Sequence, residues 1–172
     1  MDATTGKPQG VEPWLRGTLG DSPAIGRAVL HALELAREDL HHWAGSLTDE
    51  QLNCSIGGVA PVAFHLRHIA RSLDRLLTYA EGTPLSDAQK EALRGELAEG
   101  ATSSEIFAEF DAALERSAAR VRVLCLGDLE QARYVGGKRL PTSLGGLLVH
   151  VADHTQRHVG QAITTAKIVA AS

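Results

Sequence analysis

The run over residues 143–169, SLGGLLVHVADHTQRHVGQAITTAKIV, leaves the chain little choice of local structure. It contains no proline, and Pro141-Thr142-Ser143 at its start is a helix start signal. Apolar or small residues recur at Leu144, Leu147, Leu148, Val151, Thr155, Ala162, Ala166 and Val169. That is the i, i+3, i+4, i+7 spacing of a long helix with one buried face. His150, His154 and His158 are set into it, each four residues from the next. At about 100° per residue from Leu144, His158 falls about 40° from the centre of the apolar stripe, His154 about 80° and His150 about 120°. His154 and His158 therefore look inward, with His150 at the margin. Side chains at i and i+4 stand one above the other, so a helical His-x-x-x-His pair is a ready chelate.

Three more long amphipathic patterns precede this one. Residues 22–44 follow the cap Asp21-Ser22-Pro23 and carry Ile25, Val29, Leu33, Leu40 and Trp43 as expected core, with Gly45 as the stop. Residues 60–80 carry Val62, Leu66, Ile69, Leu73, Leu76 and Leu77 on one face, together with His65 and His68. Residues 103–126 turn Ile106, Phe110, Leu114, Ala118, Val121 and Leu124 inward. Between them lie a short capped turn over 46–52, a polar stretch at 86–97 that reads as a short helix, and a Gly-containing loop over 127–142 with an extended piece at 133–135. Residues 1–20 read as an irregular arm packed through Trp14 and Leu15, and residues 21–172 as one domain.

Four helices of this length make an all-α four-helix bundle the economical architecture. The composition agrees: 44% of residues are hydrophobic but only 4% aromatic, which favours packed helices over a β-sandwich. About 20 residues link the second helix to the third, more than adjacent antiparallel helices need, so a crossover giving up-down-down-up is expected.

Charge and composition exclude some functions. The formal charge is −4 and the basic residues are scattered, which offers no nucleic-acid surface. No apolar run is long enough for a bilayer and MDATTGKPQG lacks an apolar signal core, so a cytoplasmic location is expected. Cys54 and Cys125 lie far apart without Cys-x-x-Cys spacing and are expected to be reduced. Arg67 and Arg71 are expected on a solvated face, and His41-His42 as a cap at the end of the first helix.

Five of the eight histidines fall on the second and fourth helices. Neutral imidazole suits zinc, nickel and ferrous iron. Three ligands from two helices would leave a position open for water or substrate, as catalytic metal sites do. On the second helix, His65 lies about 60° from the stripe and His68 about 120°, so periodicity prefers His65.

The segments GGVAPVAFHLRHIARSLDRLLTYAEG and LLVHVADHTQRHVGQA resemble the paired signatures of the DinB-like superfamily (DinB/YfiT type), metal-binding four-helix bundles of up-down-down-up topology. The marks are a histidine before an aliphatic residue early in helix two, here His68-Ile69, and His-x-x-x-His before Gly-Gln in helix four, here His154 and His158 before Gly160-Gln161. The turn LTDEQL at 47–52 is typical as well. The resemblance covers about residues 22–170. It implies His68, His154 and His158 as metal ligands, with His65, His150 and Gln161 as supporting or alternative groups. Two positions depart from the common pattern: Val159 stands where many relatives have Arg, and Leu73, beside Asp74, where many have an acid. The resemblance also implies a divalent metal (Zn, Ni or Fe) and, in some members, a low-molecular-weight thiol. Those members are thiol-dependent transferases or isomerases acting on a small-molecule electrophile. Others bind metal or small molecules without catalysis, including in stress responses. Homodimers are common among such proteins, and the Ala-rich helix faces point the same way.

Overall fold

The computed structural model describes residues 10–97 and 100–171. Six α-helices occupy most of them: α1 (Ala24–Ala44), α2 (Asp49–Asn53), α3 (Val62–Ala80), α4 (Asp87–Arg94), α5 (Ser103–Leu124) and α6 (Leu144–Ala170). A small antiparallel hairpin, β1 (Ala132–Val135) and β2 (Leu140–Ser143), sits between α5 and α6.

Local chemistry places the helix starts. Thr48, Ser86 and Thr102 each close a capping box with Gln51, Gln89 and Glu105, satisfying donors that a helix leaves unpaired in its first turn. Ser143 caps α6 by accepting from the Gly146 N–H. The expected short helix at 86–97 is α4. The expected loop at 127–142 contains a second strand that the sequence hides, because Leu140–Ser143 is brief, includes Pro141 and does not alternate in burial.

The four long helices form the core. α1 packs on α6 and α5, and α3 packs on the same two helices from the other side. Leu40, Leu66, Ile69, Leu73, Leu77, Ile106, Phe110 and Leu148 are all but excluded from solvent between them. At Gly26 the approach of α1 to the end of α5 leaves no room for a side chain. A Cβ there would stand 2.4 Å from the Cys125 Sγ. Cys125 is buried, Cys54 exposed, and both are free thiols.

Several side chains depart from the sequence expectation. Trp43 is 40% exposed, with the Lys167 ammonium 4.0 Å from its ring centre. Trp14 and Leu15 are exposed on a single 3-10 turn, Pro13–Leu15. The described part of the arm is held by Arg16, which bonds Glu38 at 2.6 Å, Glu34 at 3.1 Å and the Val11 carbonyl at 2.7 Å. Residues 1–9 of the expected arm lie outside the described residues. His41 reaches across to Asp111 at 2.9 Å, which makes it a bridge to α5 instead of a cap.

α4 and the residues after it lie along α3. Gln89 donates to Asp74 and Thr78, Arg71 donates to the Ala92 carbonyl at 2.8 Å, and Glu96 reaches His68 and Arg75. That cover, with α5 beside it, corrects the reading of Arg67 and Arg71 as solvated. Arg67 is buried and Arg71 is ion-paired with Glu109 at 2.8 Å.

Candidate metal centre

His65 and His68 enter the site from the first two turns of α3, and His154 and His158 from the middle of α6. His65 Nδ1 lies 3.1 Å from His158 Nδ1, while His68 Nε2 lies 3.3 Å from His154 Nε2. The pairing runs forward on one helix and backward on the other, so α3 and α6 are antiparallel here. One donor atom from each of His68, His154 and His158 lies within 4.8 Å of the other two, close enough to hold one ion. All three are half-buried.

His65 is the more deeply buried histidine of α3, as its place near the apolar stripe implies, yet it stands behind His158 and outside that group of three. His150 is the outlier on α6. Its side chain is 44% exposed and leans toward Asp153 at 3.5 Å. Gln161 is exposed and lines a groove beside the site with Val59, Ala60, Phe64, His65 and His158. The groove measures about 640 Å³. A larger cavity of about 810 Å³ lies at the far end of α3 against the hairpin and touches none of the histidines.

The surroundings suit cation binding. Burial first, then the neighbouring imidazoles, pushes His65 and His154 down to about 4. His158 is also lowered to about 4, by burial and then by His68 and Arg157. These rings are neutral at pH 7 and keep a lone pair to offer. Two nitrogens bound at about 2.0–2.1 Å in a tetrahedral arrangement stand about 3.3 Å apart, and the Nε2 atoms of His68 and His154 have that separation. The donor set therefore fits a divalent ion of the zinc, nickel and ferrous-iron group.

A model of the DinB superfamily matches residues 32–162. The chain belongs to the DinB superfamily. Comparison with curated proteins and with solved structures gave no match. The histidines His68, His154 and His158 all lie inside the DinB segment, as do α3, α4, α5 and the first two thirds of α6.

One residue at this DinB site escaped the sequence reading. Glu96, just past α4, is 4% exposed and places Oε2 2.7 Å from His68 Nδ1 and Oε1 2.6 Å from an Arg75 nitrogen. Burial raises its pKa, but hydrogen bonds from His68 and Arg75 and the Arg75 charge outweigh that and leave it below the usual carboxylate value. The available signal was the seven-residue spacing of His68 and Arg75, which puts both on one face of α3. Asp74 serves elsewhere, on Arg120 and Gln89.

Proposed function

We propose that His68, His154 and His158 hold one divalent ion (zinc, nickel or ferrous iron) and that the protein is a metal-dependent S-transferase or isomerase using a small thiol. The observation that carries this reading is the close approach of the His68 and His154 Nε2 atoms, 3.3 Å apart, beside an open groove of about 640 Å³. When bound at such a site, a divalent ion lowers the pKa of a coordinated thiol and holds a thiolate at neutral pH.

The protein's own residues supply the rest. Val59, Ala60 and Phe64 give the groove an apolar wall for the hydrocarbon part of an electrophile. Arg157 and Gln161 at its rim offer donors to polar groups of the thiol or substrate. His65, neutral and buried, stands 3.1 Å behind His158 and fixes how that ring is turned. A three-histidine set that excludes His65 favours catalysis over a closed structural site, because one position stays free for a reacting group.

The architecture in this proposal is an up-down-down-up four-helix bundle forming one domain over 21–172. Contact registers support it. His41 meets Asp111 while Arg37 reaches Glu115, an antiparallel register, whereas Arg71 meets Glu109 and Glu81 meets Arg120, a parallel one. No helix among the described residues is long and apolar enough to cross a membrane. A cytoplasmic homodimer is part of the same proposal, and light scattering that returned the one-chain mass of 18.3 kDa would reject the dimer.

The test of function is metal analysis of purified protein, followed by thiol transfer to a chromogenic electrophile with the bound metal and with zinc added. About one metal per chain and thiol transfer that vanishes on chelation are expected. Stoichiometric metal with no transfer across a panel of thiols would reduce the assignment to a metal-binding protein.

A further inference from the structure

Glu96 sits on the crossover, far from the histidines in sequence, yet it closes directly on one of them. A carboxylate can only accept a hydrogen bond, so at 2.7 Å it calls for a proton on His68 Nδ1, and the tautomer with its proton there carries its lone pair on Nε2. That Nε2 is the atom facing His154 Nε2. The carboxylate is itself held in place by Arg75 at 2.6 Å, seven residues along α3 on the same face as His68. Ser72 does a weaker form of the same task for His154. Its hydroxyl donates to the Ile69 carbonyl at 3.1 Å, and its oxygen lies 3.4 Å from His154 Nδ1.

We propose that Glu96 is the positioning residue of the metal centre, and that through it metal binding and docking of the crossover on α3 are one coupled equilibrium. The inference rests on the three-histidine reading and adds its regulation. With Glu96 docked, His68 is locked in the ligand tautomer and made more electron-rich, and both raise its affinity for a cation. Coupling of two equilibria is reciprocal: whatever factor docking contributes to metal affinity, metal contributes to docking. The crossover is the element suited to such a switch. α4 has no buried residue of its own, and it and the residues just after it meet α3 through polar contacts, Gln89 to Asp74 and Thr78 and Arg71 to Ala92 from α4, and the buried Glu96 to His68 and Arg75 beyond it. Elements held that way open at low free energy. A bound ion would therefore tighten a segment whose other end lies about 15 Å along α3, at 1.5 Å per residue from His68 to Thr78.

The experiment uses the full chain and Zn(II) alone, with affinity from competition against a chromogenic chelator and hydrogen exchange measured with and without zinc. In the wild type, zinc should slow exchange over residues 87–96 beyond any general slowing of α3 and α6. Glu96→Ala should bind zinc about 10–100-fold more weakly and lose the zinc effect on the crossover. Glu96→Gln, which keeps an acceptor toward Nδ1–H, should recover part of the affinity. In nitrogen-15 NMR of the metal-free protein, His68 should be the Nδ1–H tautomer in the wild type and a tautomer mixture in Glu96→Ala. A purely structural Glu96 predicts something else: Arg75→Met and Glu96→Ala lower the melting temperature alike, and zinc affinity stays at the wild-type value. That result, or unchanged exchange over 87–96 on adding zinc to a wild type that binds it, overturns the inference. Should Glu96→Ala fail to fold, the wild-type exchange measurement decides alone. A wild type that binds no zinc, nickel or iron fails the three-histidine reading itself, a separate outcome visible before any Glu96 variant is made.

Discussion

Helix α3 carries two polar clusters less than three turns apart. In one, Glu96 joins His68 and Arg75, with side-chain exposures of 6%, 16% and 11%. In the other, Arg120 joins Asp74 and Glu81, with exposures of 23%, 53% and 39%. The bond lengths barely differ: 2.7 and 2.6 Å in the first, 2.9 and 2.7 Å in the second. Environment separates them. Removing one partner from a buried set strands the others without solvation, while an exposed pair exchanges its partner for water. A buried set is thus kept only where each member is satisfied, and here one member has a second ring nitrogen, His68 Nε2, facing another histidine at 3.3 Å. The exposed cluster has no such surplus, and holds α3 to α5.

The sharpest way to break this comparison is His154→Ala. One ligand and little apolar area are lost, so circular dichroism should still report the helices. Zinc affinity should fall by at least about 100-fold, as expected when a first ligand and not a supporting group is removed. His150→Ala and Asp74→Ala should leave it unchanged. Zinc affinity that survives in His154→Ala would make His68, His154 and His158 an ordinary group of half-buried histidines.

Much of the fold behind that site was legible in the chain. Helical spacing and the start signals at Asp21-Ser22-Pro23 and Pro141-Thr142-Ser143 are local properties, and the starts expected for the four long helices fall within two residues of those observed. Periodicity also ranks His65 as the more buried histidine of α3, which it is. What it does not reveal is that the deeper ring lies behind His158 while the shallower His68 faces His154. Burial and convergence are different properties, and only the second makes a chelate. His68 was singled out through resemblance to the family, not through spacing. Glu96 and Arg67 were missed for a related reason. Each is polar, and its burial comes from elements distant in sequence, Glu96 against α3 and Arg67 near Glu105 of α5, which no window of neighbouring residues encodes. Trp43 erred the other way: it is 40% exposed with its ring against Lys167 of α6, while Leu40 and Ala44 of the same stretch of α1 take the fully buried positions.

A second, smaller effect concerns acid. His65, His154 and His158 each have a folded pKa of about 4 against 6.5 for the free ring. Between those values the unfolded chain binds more protons than the folded one, so stability rises with pH there. The contribution is complete above about 6.5 and is lost progressively as pH falls toward 4. Metal-free protein should accordingly melt at lower temperature as the pH is taken from about 7.5 to about 4.5. His65→Leu, which puts a group with no charge to desolvate in the most buried of the three positions, should flatten that slope. Parallel slopes for the two proteins would mean that burial does not hold His65 neutral.

The smallest effect should come from the outer cluster. Arg120→Ala removes hydrogen bonds to Asp74, Glu81 and Thr78, which on paper is more contacts than Arg75 makes. Yet Asp74 and Glu81 are exposed enough to be resolvated at once, and Asp74 and Thr78 keep Gln89. The expected loss in urea denaturation is below about 1 kcal/mol, and it shrinks further in about 0.5 M salt, where the Debye length falls to about 4 Å. Arg75→Ala leaves the Glu96 carboxylate buried with only His68 beside it, and should cost about 3–5 kcal/mol. The count of contacts therefore ranks the two substitutions in the wrong order, and exposure ranks them in the right one. If Arg120→Ala cost as much as Arg75→Ala, solvent would not be what separates the clusters, and burial would not set the inner cluster apart as a functional site.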